Sequence, residues 1–216
     1  MVLIPYPPPT GPAPTPITTT IPIEQTLKRI WDPSRYEATA LGFREKGPFS
    51  RFDHQRPDRP GSPFEPDAGR GIWYAGLTLA SALIETFGSH DPSRTVDLAG
   101  PYRVGLVHLE RNFVMLDLRG DGAALAGTVH ALCGTSDRPL SQAWARYFYE
   151  ETTVYGVIDG ILYPSAHNGQ ECVAVFERAA TALACPNEDV LPLAHPRLRP
   201  AIEGAARRGR LRLING

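Results

Sequence analysis

Five side chains of types that do chemistry lie beside aromatic or apolar segments of this chain: Arg29, Arg51, Tyr74, Glu85 and Ser165. An arginine guanidinium can capture phosphate through two parallel hydrogen bonds. Tyrosine offers a flat ring and a hydroxyl, and a carboxylate beside apolar groups can stabilise developing positive charge. Together these residue types predict a site for a phosphorylated, aromatic, ribose-containing ligand, with Glu85 at the reactive carbon.

Each of these residues also has an ordinary structural interpretation, which the residue types alone leave open. The two arginines could form surface ion pairs, and the tyrosine could be a core aromatic. Ser165 could be a turn former. Glu85 could be a solvated helix residue, since charged side chains are mostly exposed.

The segment from Gly69 to Gly88 must position Glu85. A short strand near Ile72–Tyr74 is followed by a glycine turn and a helix from about 79 to 87. Apolar residues at three- and four-residue steps predict this helix, with Thr78 as its N-cap and Gly88 just after its end. Glu85 falls on a second stripe beside the apolar face.

The remaining pattern mixes helices and strands without regular alternation. We expect strands near 102–109, 113–118, 157–163, 171–176 and 211–214, helices near 123–132, 140–148 and 200–207, and a short helix or strand within 23–31. This pattern predicts an α+β fold, with a mixed sheet and flanking helices.

Composition divides the chain into three parts. Residues 1–23 carry prolines and no charge, which predicts an extended arm of polyproline II character that packs on the domain. Residues 24–185 form the predicted domain, and 186–216 a C-terminal extension packed on it. The arginines of this extension are interpreted as a solvated face, with a local anion or nucleic-acid patch as the alternative.

Bulk properties exclude several classes of function. A formal net charge of −1 gives no electrostatic case for direct nucleic-acid or anionic-membrane binding. No apolar run is long enough for a membrane span, and no secretory signal pattern is present. Three widely spaced cysteines indicate reduced thiols of a cytoplasmic protein. The histidines and cysteines show no ligand spacing, so no metal site is expected.

In their order, these motifs resemble the RES domain family, named for its Arg, Glu and Ser, which supplies the toxins of RES–Xre toxin–antitoxin pairs. The similarity covers roughly residues 27–180. The matching motifs are Arg29 before Ile30, Arg51-Phe52-Asp53, Tyr74-Ala75 ahead of the helix with Glu85, Tyr163-Pro164-Ser165 with Gly169, and a closing strand that ends at Glu177.

The resemblance implies an ADP-ribosyltransferase-like fold and an enzyme that takes NAD+ as its substrate, without a separate cofactor. The nicotinamide–ribose bond is then cleaved by hydrolysis or by phosphorolysis with inorganic phosphate. Glu85, Arg51 and Ser165 are implied as catalytic. Arg29, Tyr74 and Asn168 are implied as substrate-binding, with Arg29 and Arg51 on the diphosphate.

The resemblance also implies an Xre-type helix-turn-helix antitoxin as partner, and a homodimer is a further expectation. Two other functions stay open: ADP-ribosyl transfer to a macromolecule, and a non-catalytic binding module that uses the Pro-rich arm. The segment between Arg51 and Tyr74 is longer than in compact family members. One of its other arginines could therefore take the place of Arg51: Arg56, Arg59 or Arg70.

Overall fold

The computed structural model describes residues 2–35, 38–59, 63–88 and 94–215. The strands of this part are β1 (Thr18–Ile21), β2 (Leu27–Trp31), β3 (Ile72–Gly76), β4 (Thr95–Asp97), β5 (Arg103–Leu109), β6 (Phe113–Asp117), β7 (Gly160–Pro164), β8 (Glu171–Phe176), β9 (Leu183–Ala184), β10 (Val190–Pro192) and β11 (Arg212–Ile214). The α-helices are α1 (Leu79–Phe87), α2 (Gly122–Leu125), α3 (Arg138–Glu150), α4 (Thr152–Tyr155) and α5 (Arg199–Gly209). No helix in these ranges is long and apolar enough to cross a bilayer. The predicted α+β class is confirmed.

The main sheet is mixed and strongly curled. Its strand order is β1-β6-β7-β8-β3-β2-β5-β10, with β9 also on β5. The pair β6–β7 is parallel, and the other pairs of this sheet within the described ranges are antiparallel. A flat sheet would separate β5 from β6 by five strand spacings, about 24 Å. The four chain steps from Leu109 to Phe113 span at most about 14 Å, so the sheet must curl.

Curling gives the sheet a packed face on each side. Along β8, Val173 and Val175 pack inside the curl with Trp73 of β3. The alternate residues Ala174 and Phe176 pack on the other side, in the cluster that contains α3. Successive side chains of a strand point to opposite faces. The sequence of a strand that is buried on both sides is therefore a continuous apolar run.

Both terminal segments contact the rest of the domain. The Pro5 carbonyl accepts a hydrogen bond from Trp144 Nε1 at 2.7 Å, and β1 pairs with β6. At the other end, α5 shares a buried cluster with α1 through Ile202 and Ile84, and β11 pairs with β4. The division at residues 23 and 185 stays a prediction.

Two local expectations are corrected. The helix expected over 123–132 is short α2 followed by a separate 3₁₀ turn at His130–Cys133, because Gly127 turns the chain at a φ of 84°. The strand expected over 157–163 begins only at Gly160. The strands expected near 102–109 and 113–118 are present as β5 and β6.

Candidate active site

A cavity of about 420 Å³ lies where β2, β3, α1, β7 and the start of α3 meet. This volume is within the usual range for small-molecule sites. Its charged lining side chains are three cations and one carboxylate among the described residues: Lys28, Arg51, Arg138 and Glu85. Aromatic rings complete the wall: Phe49, Tyr74 and Tyr163. The cavity therefore favours an anionic ligand while holding one negative charge at a fixed place.

The junction between β3 and α1 carries Glu85 to the cavity. Thr78 caps α1: its side chain accepts a hydrogen bond from Ser81 N at 3.0 Å, and Ser81 Oγ accepts one from Thr78 N at 3.1 Å. Gly76 is required for close packing, because a Cβ there would lie 2.4 Å from Ser81 Oγ. The capped helix fixes the position of Glu85, one turn from its C-terminus.

One oxygen of the Glu85 carboxylate accepts no hydrogen bond from the described residues. Oε1 is buried without a hydrogen-bond partner among the described residues. Leaving a buried polar atom unpaired costs about 1–3 kcal/mol. An unpaired carboxylate oxygen on a side chain that lines a cavity of ligand size indicates a group that binds a ligand.

A buried carboxylate, Asp53, shapes the loop that carries Arg51. Its oxygens accept hydrogen bonds from the backbone N–H groups of Phe49 at 2.7 Å and Ser50 at 2.8 Å, and from Arg44 at 2.6 Å. With Asp53 fully buried, these bonds fix the turn that places Arg51 at the cavity. Arg51 Nε is itself buried and unpaired within the described residues.

Tyr74 presents its ring to the cavity and uses its hydroxyl for the loop. The hydroxyl donates to Asp53 Oδ1 at 2.8 Å and accepts from Phe52 N at 3.0 Å. Burial, together with the charge of Asp53, raises the pKa of Tyr74 well above its ordinary value. Tyr74 is therefore a neutral packing surface that also holds the Arg51 loop in place.

The structure does not bring Arg29 to the cavity. On β2, Lys28 and Ile30 line the cavity, whereas the Arg29 guanidinium donates to the Gly42 carbonyl at 2.8 Å and lies over Trp73 at 5.5 Å. Burial, with a smaller effect from the charge of Arg44, lowers the pKa of Arg29 to about 10. Because side chains alternate between the two faces of a strand, Lys28 reaches the cavity and Arg29 does not.

Ser165 and Asn168 do not line this cavity either. Ser165 is buried in the turn between β7 and β8, where its Oγ accepts from His167 N at 3.2 Å. Asn168 is exposed and lines a neighbouring cleft with Arg94, Arg208 and Arg210. From this turn, His167 is the residue that reaches the cavity. The ligand contacts predicted for Ser165 and Asn168 therefore stay predictions, since both residues lie outside the cavity lining.

The other arginines between Arg51 and Tyr74 are engaged elsewhere. Arg56 forms an ion pair with Asp67, and Arg59 lies 4.0 Å from the same carboxylate. Arg70 pairs with Glu150 and lies over the Tyr149 ring at 4.6 Å. Among the four candidates, Arg51 is the one that lines the cavity.

Arg138 is a cavity residue that the sequence reasoning missed. It is the first residue of α3, after the N-cap Asp137, whose side chain accepts from Leu140 N at 3.0 Å. Burial, together with the charge of Arg51, lowers the pKa of Arg138. The Asp137–Pro139 pattern indicates a helix start, but no local signal shows that this start faces Glu85.

The arrangement combines an anion-binding wall with one carboxylate. Within the described residues, no group of three or more histidine, cysteine, aspartate or glutamate side chains could hold a metal ion. The cationic side suits phosphate groups. The carboxylate can stabilise a carbon centre that becomes positively charged as a bond breaks.

Comparisons with known proteins give a family match. The family model described as the RES domain matches residues 26–198. A search of curated proteins found no match. Among solved structures, a chain of the M. tuberculosis MbcT–MbcA toxin–antitoxin complex is similar at 17% identity with a TM-score of 0.49, over 84% of this chain and 92% of that one.

Proposed function

The chain belongs to the RES domain family, and from this premise we propose that it is an NAD+-degrading toxin that cleaves the nicotinamide–ribose bond. The observation that carries the proposal is the buried, unpaired oxygen of Glu85, a side chain that lines the same cavity as Arg51 and Tyr74. NAD+ presents what this cavity can bind: an anionic diphosphate, an aromatic ring and a ribose between them.

In the proposed reaction, the bond between the ribose anomeric carbon and the nicotinamide nitrogen breaks. Its electron pair leaves with nicotinamide, which departs neutral, and the ribose becomes an oxocarbenium-like cation. The Glu85 carboxylate stabilises this cation through its charge or through a ribose hydroxyl. Tyr74 packs on the nicotinamide or its ribose, and Arg51 holds the diphosphate.

A nucleophile then completes the cleavage. Water gives ADP-ribose and releases one proton, whereas inorganic phosphate gives ADP-ribose 1″-phosphate. In keeping with the family, an Xre-type antitoxin would neutralise the toxin by covering this cavity. The contacts of the Pro5 carbonyl with Trp144 and of β1 with β6 give the arm a structural role within the domain, which does not favour a binding module based on the arm.

Product analysis tests the proposal. Purified protein is incubated with NAD+ labelled in its adenine, with and without phosphate, and the products are separated. Free nicotinamide with labelled ADP-ribose or its 1″-phosphate is expected. Label on protein or nucleic acid would show a transferase instead. Intact NAD+ under both conditions would refute the proposal.

A further inference from the structure

Two guanidinium groups, those of Arg51 and Arg138, line the cavity without forming an ion pair among the described residues. Arg51 has no hydrogen bond or ion pair among the described residues. Arg138 donates to the Thr135 carbonyl at 3.3 Å and likewise has no ion pair there. By contrast, Arg44 nearby is paired with the buried Asp53 at 2.6 Å.

The two cations line the same cavity and affect each other. The pKa of Arg138 is lowered by its burial and then by the charge of Arg51. Half-buried like charges repel each other, and an anion between them removes this cost. The groups come from a loop and from the start of α3, so tertiary structure holds them together at the cavity wall.

We propose that Arg51 and Arg138 form a clamp for the diphosphate of the ligand, with Arg138 in the role that the sequence suggested for Arg29. This inference rests on the proposed function for the identity of the ligand. A guanidinium fork binds one phosphate group through two hydrogen bonds, so two forks match two linked phosphates. Glu85 lies in the same cavity, so one dinucleotide can contact the clamp with its diphosphate and Glu85 with its ribose.

Binding of ADP-ribose tests the clamp without any turnover. Titration calorimetry on the full chain compares ADP-ribose with AMP. Arg138→Ala should weaken ADP-ribose binding about 10- to 100-fold, the effect of losing hydrogen bonds to a charged group. AMP, with one phosphate, should lose less. Arg138→Lys should recover part of the affinity, because a lysine keeps the charge and loses the fork.

Arg146→Ala is the matched control. Arg146 lies on the same helix, and its guanidinium points to the Gln55 carbonyl at 3.5 Å instead of lining the cavity. It should leave ADP-ribose affinity within about twofold. Thermal unfolding of every variant shows whether the fold persists.

Three outcomes would overturn the clamp: unchanged ADP-ribose affinity in Arg138→Ala, equal losses for AMP and ADP-ribose, or the same loss in Arg146→Ala. Nicotinamide release by the wild type is measured in parallel. Release with a failed clamp refutes only the clamp. Clamp-dependent ADP-ribose binding without nicotinamide release refutes only the proposed reaction.

Discussion

Removing the negative charge of Asp53 should loosen the whole Arg51 side of the cavity. Asp53→Asn keeps the size of the side chain but replaces one oxygen by an amide nitrogen. The carboxylate accepts from two backbone N–H groups, from Arg44 and from the Tyr74 hydroxyl. The amide can keep the backbone bonds with its oxygen and donate to the Tyr74 hydroxyl oxygen.

What the substitution cannot keep is the charge opposite Arg44. Breaking a buried ion pair by removing one partner costs about 3–5 kcal/mol. The Arg44 side chain is 38% exposed, whereas that of Asp53 is fully buried, so water takes over part of the solvation of Arg44. We therefore expect the lower end, about 3 kcal/mol, which for a chain of this size lowers Tm by about 6–12 °C.

Thermal unfolding and nicotinamide release are measured on the same preparations. The release rate should also fall, because the turn that carries Arg51 is then held without the Arg44–Asp53 ion pair. Asp58→Asn is the control, since Asp58 lies in the same segment and is exposed. It should stay within about 0.5 kcal/mol of the wild type. An Asp53→Asn protein as stable as this control would refute the argument that Asp53 organises the loop.

Two further predictions concern neighbouring side chains and pH. Lys28→Met should raise KM for NAD+ by weakening anion binding, whereas Arg29→Met should cost about 1–3 kcal/mol of stability and leave KM unchanged. Steady-state kinetics measure the first effect and denaturant unfolding the second. The reverse pattern would show that Arg29, and not Lys28, is the β2 cation at the cavity. Burial lowers the pKa of His54 despite its bond to Glu177, so the unfolded chain takes up a proton more readily than the folded one. The contribution of His54 to the free energy of unfolding should therefore be complete above pH 6.5 and decrease as the pH drops below it. Denaturant unfolding at pH 7 and at pH 5 should show a smaller decrease in this free energy for His54→Gln than for the wild type. An equal decrease in both proteins would exclude His54 as the cause.

The local part of the site was predictable from the sequence. Thr78, Gly88 and the apolar spacing between them gave α1 its observed bounds, Leu79–Phe87. These signals act within one or two helical turns, where capping and periodicity dominate. Glu85 could thus be placed on a helix beside an apolar face before any tertiary contact was known.

The sequence did not predict which side of β2 lines the cavity, or that α3 contributes Arg138 to it. Alternation shows that Lys28 and Arg29 point to opposite sides, but it does not show which side carries the cavity. Arg138 lies 53 positions after Glu85 and reaches the cavity only because α3 packs on the curled sheet. Curling itself depends on the pairing of distant strands, which one sequence does not specify.

The release of free nicotinamide by Glu85→Gln tests most directly whether Glu85 is the catalytic carboxylate. Gln keeps the shape of the side chain and removes the charge that would stabilise the oxocarbenium-like centre. We expect a loss of about 10²–10³-fold in rate, typical for removing one group that stabilises a transition state. Glu45→Gln, at an exposed position, should keep the wild-type rate. Release at the wild-type rate by Glu85→Gln would contradict a catalytic role for the Glu85 carboxylate.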